Sequence, residues 1–256
     1  MNKGLVDKEG NWIDFDSIQH TAPSNWGIGM YNIALDMAKH AMKRENYCDY
    51  SATQLSVPVR RYWLEHRYDY WITPVQYADR WIGDCIHLGI TDERPVCAEL
   101  DGETIGGTPD LVEGNAIIDY KATSKSTLTK IRKYLIYDVK PEWVEQLNIY
   151  KWLMNKNNVA IEKMFDVLIL KSCFLGIDEH FHCIEVDELE DVEGLIRERI
   201  ALIQSHEATP DNALPACKFV PTFGTKIVEA SICEHYCDVK EFCTFDDIDD
   251  IDDIAF

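Results

Sequence analysis

Two short segments constrain this chain more than any other feature. Gly107-Thr108-Pro109-Asp110 is followed, nine residues after Asp110, by Asp119-Tyr120-Lys121. Between the two acids lies Leu-Val-Glu-Gly-Asn-Ala-Ile-Ile, in which the turn residues Glu113-Gly114-Asn115 are flanked by apolar ones. That pattern predicts a β-hairpin, with Asp110 on one strand and Asp119 on its neighbour. Strand side chains alternate faces, so Asp119 and Lys121 share one face and Tyr120 points to the other. Facing carboxylates repel and desolvate poorly unless a cation lies between them. An all-oxygen site suits Mg²⁺ or Mn²⁺. A lysine beside such an ion can orient an attacking water and offset negative charge as it develops. The plainer reading is a hairpin with two surface acids and a lysine.

The motifs resemble those of the PD-(D/E)XK nuclease superfamily, and within it the RecB-like branch. Gly83-Asp84-Cys85-Ile86-His87 is similar to the branch's G-x-x-x-H signature, and Gln146-Leu147-Asn148-Ile149-Tyr150 to its Q-x-x-x-Y signature. The resemblance implies that His87, Asp110 and Asp119, with the backbone carbonyl of Tyr120, bind Mg²⁺ or Mn²⁺. It implies that Lys121 serves catalysis and that Gln146 and Tyr150 place the lysine or the DNA backbone. Glu99 enters as an accessory acid on the strand leading into the hairpin. The implied fold is α/β: a restriction-endonuclease-like central mixed sheet flanked by helices, with a small cysteine-rich C-terminal segment. The implied activity is phosphodiester hydrolysis, as an exonuclease on single-stranded or end-containing DNA, in recombination, repair or phage DNA processing. A non-catalytic module that binds DNA ends or a replication partner, and a nuclease acting on RNA, are the alternatives. No G-x-x-x-x-G-K-[ST] loop is present for ATP-driven unwinding.

The residues carry their own local readings. Thr73-Pro74 opens a helix over residues 74 to 90, with His87 near its end, and Pro141 opens another. Gln146 and Tyr150, four apart, share a face of that second helix. Ser51 caps a short helix that Pro58 interrupts. Strands are expected at 95–100, 104–112, 116–122, 164–171 and 180–186, and helices at 125–136 and 187–206. This order fits a sheet covered by helices. The organisation expected is a nuclease domain over 1–210, a cysteine-rich metal-binding segment over 211–245 and a disordered acidic tail over 246–256.

Charge complicates the DNA reading. The net charge is −20, whereas nucleic-acid binding favours a basic surface. Six aspartates in the tail leave −14 without them. Local distribution therefore matters more than the sum. Lys125, Lys130, Arg132 and Lys133 lie in the most basic window, directly after the candidate site, and are the expected DNA contacts. A second basic stretch, Arg60, Arg61 and Arg67, is interleaved with Tyr62, Trp63, Tyr68, Tyr70 and Trp71. It reads either as a stacking and phosphate-holding surface or as an amphipathic helix with core aromatics.

The C-terminal part holds Cys217 and then Cys233-x3-Cys237-x5-Cys243, which suggests thiolate ligation of a metal. Some members of the RecB-like branch carry a 4Fe-4S cluster in such a segment. Their first ligand precedes a proline near the N-terminal helix, but here Val57 precedes Pro58. Cys217 or Cys48 then supplies the fourth thiolate. Zinc, with His235 as a substitute ligand, and plain buried cysteines are the other readings. The tail ending in Asp-Asp-Ile-Ala-Phe256 resembles the acidic tips of bacterial single-stranded-DNA-binding proteins. That implies a replication or recombination protein as partner, or competition with DNA, against the plainer reading of a solubilising tail. No run approaches the eighteen or so apolar residues of a membrane span, and the N-terminus lacks a signal-peptide core. A cytoplasmic protein with no membrane association is expected.

Overall fold

The computed structural model describes residues 2–6, 12–14, 47–72, 95–170, 180–215, 217 and 237–243. In chain order the described strands and helices are β1 (Asn2–Val6), β2 (Trp12–Asp14), β3 (Tyr50–Ser51), α1 (Ala52–Leu55), α2 (Val59–Arg67), β4 (Tyr70–Ile72), β5 (Val96–Leu100), β6 (Glu103–Gly107), β7 (Leu111–Glu113), β8 (Ala116–Thr123), α3 (Lys125–Lys133), α4 (Ile136–Val139), α5 (Pro141–Lys156), β9 (Lys163–Leu170), β10 (Phe181–Glu185) and α6 (Val192–Ser205). The chain forms two units: residues 46–57 with 80–201, and residues 1–45 with 58–79 and 202–256.

The first unit carries the acids. Its larger sheet runs β10-β9-β8-β7, with β8 and β9 parallel and the outer pairs antiparallel; a smaller mixed sheet runs β3-β6-β5. This is the mixed α/β architecture implied by the resemblance, with two mixed sheets in place of one central sheet. Along β9, Met164, Asp166, Leu168 and Leu170 are buried, and they alternate with partly exposed Phe165, Val167 and Ile169. Period-2 burial of this kind marks one face turned to a core. Helix α5 contributes Val144, Leu147, Ile149, Leu153 and Met154 to the buried set. Pro141 occupies its first turn, where a missing N–H costs nothing.

Three boundaries differ from the sequence expectation, each for a local reason. The strand expected over 104–112 breaks after Gly107. Pro109 has no N–H to give a ladder, and Asp110 sits in a bend just before β7 rather than on the strand. The helix expected over 125–136 stops at Lys133, because Tyr134 turns extended; the chain then re-enters a short helix that buries Ile136. Helix α6 begins five residues later than expected. Asn148 on α5 holds the preceding loop, accepting from Leu189 N at 2.8 Å and donating to Asp187 O at 3.1 Å. Asp191 then accepts from Gly194 N at 2.7 Å.

The second unit uses the other basic stretch internally. Arg60 is buried, and its guanidinium donates to the carbonyls of Asp211, Leu214 and Pro215. Arg67 donates to the carbonyls of His206, Glu207 and Thr209 and pairs with Asp211 at 2.5 Å. Trp63 donates to Ile203 O, and Tyr68 stacks on Phe242 with ring centroids 4.4 Å apart. Arg61 pairs with Glu65 at 2.7 Å and Asp238 at 3.5 Å. The donors of Arg60 and Arg67 are committed to main-chain carbonyls, in keeping with the reading of this stretch as an amphipathic helix with core aromatics. Among the described residues, no helix is long and apolar enough to cross a membrane.

Removing Arg60 would take a donor from three carbonyls, the buried Leu214 carbonyl among them. Arg60→Ala is expected to lower the unfolding free energy by roughly 3 kcal/mol or more. The half-exposed Arg197, paired with Asp101 and Glu193, should give less than about 1 kcal/mol when cut to alanine. Urea denaturation of both variants measures the contrast.

Candidate functional site

The β7–β8 hairpin forms as expected, with Glu113 opposite Ala116 and a two-residue turn whose first residue, Gly114, has φ 60°. Glycine takes that conformation without steric cost. The hairpin brings Asp110 beside β8, where its Oδ2 accepts the Tyr120 N–H at 2.7 Å. A carboxylate thus closes the ladder where the strand itself has ended. Asp110 and Asp119 are both buried.

Lys121 Nζ lies 2.5 Å from Asp119 Oδ2 and donates to Gln146 Oε1 at 2.7 Å. An ammonium only donates, so the Gln146 amide must turn its oxygen toward it. The amide nitrogen then donates to Tyr150 Oη at 2.8 Å and to Thr53 Oγ1 at 3.2 Å. Thr53 is held in place by a capping box on α1, in which Ser51 and Gln54 satisfy each other's backbone N–H. The Tyr150 ring lies against Gly107, where an added Cβ would come 2.6 Å from Cε1. Gly107 has no side chain, and that gives the tyrosine its place.

Burial alone would lower the pKa of Lys121, but the carboxylates of Asp119, Asp166 and Asp110 outweigh it and raise the value. Lys121 is therefore a fixed positive charge and not a base. Burial likewise pushes the Tyr150 phenol up, reinforced by Asp119; it remains protonated and can donate.

Asp166 was not anticipated from the sequence. It is the parallel-register partner of Asp119 on β9, is fully buried, and neither of its carboxylate oxygens has a hydrogen-bond partner among the described residues. Burial pushes its carboxyl up to about 7; Lys121 opposes the shift and Asp119 and Asp110 add to it. The signal was available: an acid in the inward phase of Met164-Phe-Asp-Val-Leu-Ile-Leu170. Thr53 was also missed, and nothing local in its sequence marks it.

The other expected residues are placed as follows. Glu99 is exposed on β5, opposite Thr104, in the smaller sheet. Lys125, Arg132 and Lys133 are exposed and Lys130 half-buried on α3, which starts directly after β8 and carries no acid. Arg132 shares a hydrogen bond with His182 at 3.1 Å. Cys237 and Cys243 are half-buried and close enough to interact electrostatically, and Cys217 is half-buried. His87, Cys233 and the acidic tail lie outside the described residues. Among the described residues, no three histidine, cysteine or acidic side chains converge as a ready ligand set. Asp110 and Asp119 are the part of the expected Mg²⁺ or Mn²⁺ site that is visible, and the iron–sulfur and zinc readings rest on cysteine spacing.

A family model described as the PD-(D/E)XK nuclease superfamily matches residues 35–244. The crystal structure of SSO0001 is similar over 85% of this chain and 97% of its own, at 17% identity and a TM-score of 0.56. An alkaline exonuclease from Laribacter hongkongensis overlaps 50% of this chain and 66% of its own, at 15% identity and a TM-score of 0.33. A phage related exonuclease from Haemophilus somnus 129PT overlaps 80% and 94%, at 13% identity and a TM-score of 0.31. The first supports the fold; the other two overlaps are too slight to carry an argument. No curated protein matches the sequence.

Two outcomes are expected. Gly107→Ala should displace Tyr150, lower stability by about 1–3 kcal/mol as overpacking does, and loosen the hold on Gln146. For pH, an unfolded aspartate releases its proton near 3.8, whereas folded Asp166 keeps it to about 7. Between these values the native state binds the extra proton, so raising pH favours unfolding of the metal-free protein. In chelator, Asp166→Asn should therefore gain stability over wild type on going from pH 5 to pH 8, as read from urea midpoints.

Proposed function

Since this chain belongs to the PD-(D/E)XK nuclease superfamily, we propose that it is a Mg²⁺- or Mn²⁺-dependent deoxyribonuclease of RecB-like type. It hydrolyses phosphodiester bonds as an exonuclease on single-stranded or end-containing DNA, in recombination, repair or phage DNA processing. The observation that carries this reading is the fixed Lys121 ammonium, held between Asp119 and Gln146 on a hairpin that brings in Asp110.

The residues fit a divalent cation. Asp110, Asp119 and Asp166 crowd one ammonium in a buried setting, and the Asp166 oxygens lack donors among the described residues. Asp110 and Asp119, with His87 as the resemblance implies, would hold the ion. When bound, it would lower the pKa of a water and neutralise charge on the scissile phosphate. The chain's own groups do the rest. Lys121, permanently charged, orients the attacking water and offsets the charge that builds on the phosphate oxygens. Gln146 fixes the lysine's direction. Tyr150 and Thr53 fix the direction of Gln146. The exposed cations of α3 supply phosphate contacts beside the cleavage point, where a local basic surface outweighs the acidic total.

End-labelled single- and double-stranded DNA and RNA, with Mn²⁺ or with chelator, test metal need, substrate and direction together. Asp119→Asn and Lys121→Ala should each cut cleavage by about 10³-fold or more and keep a native circular dichroism spectrum in Mn²⁺. Wild-type rates from both variants would refute the assignment, and preferred cleavage of RNA would redirect it. Binding of DNA ends without cleavage would favour a non-catalytic module.

A further inference from the structure

The site contains one acid for which the proposed chemistry has no task. Asp166 stands beside Asp119 on the adjacent parallel strand, in direct Cα register. Parallel neighbours in register turn their side chains to the same face, so Asp166 and Asp119 share the buried face. Its other neighbours on that face of β9 are Met164 and Leu168. A carboxylate in such company ordinarily costs several kcal/mol unless hydrogen bonds satisfy it. Both Asp166 oxygens are buried, and neither has a donor among the described residues. Lys121 does not fill this need: its ammonium contacts Asp119 and Gln146.

The missing donors have to be small enough to enter a buried site. Asp110, Asp119 and Asp166 do not converge as a direct three-ligand set, so a cation held by Asp110 and Asp119 would have Asp166 outside its direct ligands. Mg²⁺ gives up water reluctantly and is commonly held by one or two carboxylates while keeping several waters. Those waters are donors only. Acceptors around a site orient what binds the ion and hold its affinity.

We propose that Asp166 is a positioning residue of the cation site, its carboxylate accepting hydrogen bonds from waters retained by a Mg²⁺ or Mn²⁺ ion bound at Asp110 and Asp119. This rests on the metal reading above and assigns that site a third acid from outside the hairpin. The rival role is structural: Asp166 would only balance the charge of Lys121.

Mn²⁺ binding to the full chain separates the two. Free Mn²⁺ is followed by electron paramagnetic resonance for wild type, Asp119→Asn, Asp166→Asn and Asp166→Leu. The leucine matches the apolar phase of β9 and keeps the test available should the amide variant fold poorly. The proposal expects the Mn²⁺ dissociation constant to rise about 10-fold or more in either Asp166 variant, with the Mn²⁺-induced rise in melting temperature shrinking in parallel. Unchanged Mn²⁺ affinity in a folded Asp166 variant overturns it, while loss of binding in Asp119→Asn would leave the metal reading standing. A wild type that takes up no Mn²⁺ overturns both.

Discussion

A single ammonium group sits among three buried acids, two on adjacent strands and one in the bend before β7, and the surrounding fold restrains it from several sides. At short range in a partly dried interior, one charge pair interacts by several kcal/mol more than in water. Misplacing Lys121 would therefore release repulsion among Asp110, Asp119 and Asp166 that nothing else described here offsets. The restraint is built in layers. Gln146 presents its oxygen because the lysine accepts nothing, the amide nitrogen is taken up by Tyr150 and Thr53, and the tyrosine ring rests where Gly107 leaves room. The restraining groups come from three elements, α5, α1 and β6, so the direction of one side chain reports on the packing of much of the unit.

The hairpin was legible because its signals are local: a Gly-Asn turn, apolar flanks, and an acid at each end. The Gln146–Tyr150 pair was legible because four residues make one helical turn. Strands β9 and β10 were legible from alternation and fall within a residue or so of expectation. Asp110 was misplaced onto a strand because the reading gave too little weight to Pro109. Asp166 was passed over because its partner, Asp119, lies across a parallel crossover that no local pattern reveals. Glu99 came from the resemblance alone, and it lies on β5, in the other sheet of the unit.

Basic residues divide into two kinds that composition cannot separate. Arg60 and Arg67 have their fixed fork of donors satisfied by main-chain carbonyls, which suits the planar guanidinium. Lys125, Arg132 and Lys133 stand exposed on a helix without acids. A chain with a net charge of −20 thus still exposes a local group of cations on α3, while Arg60 and Arg67 hold loops.

The parallel pairing of β8 with β9 has a consequence for the order in which the molecule comes together. Asp110 and Asp119 meet through a two-residue turn, a closure that chains make within microseconds. Asp119 and Asp166 are joined only after the chain has gone out through α3, α4 and α5 and returned, and such distant pairings are slow because loop entropy is lost before any contact rewards it. The hairpin alone would carry the motif without its lysine clamp or its third acid, since both depend on elements that lie beyond the crossover.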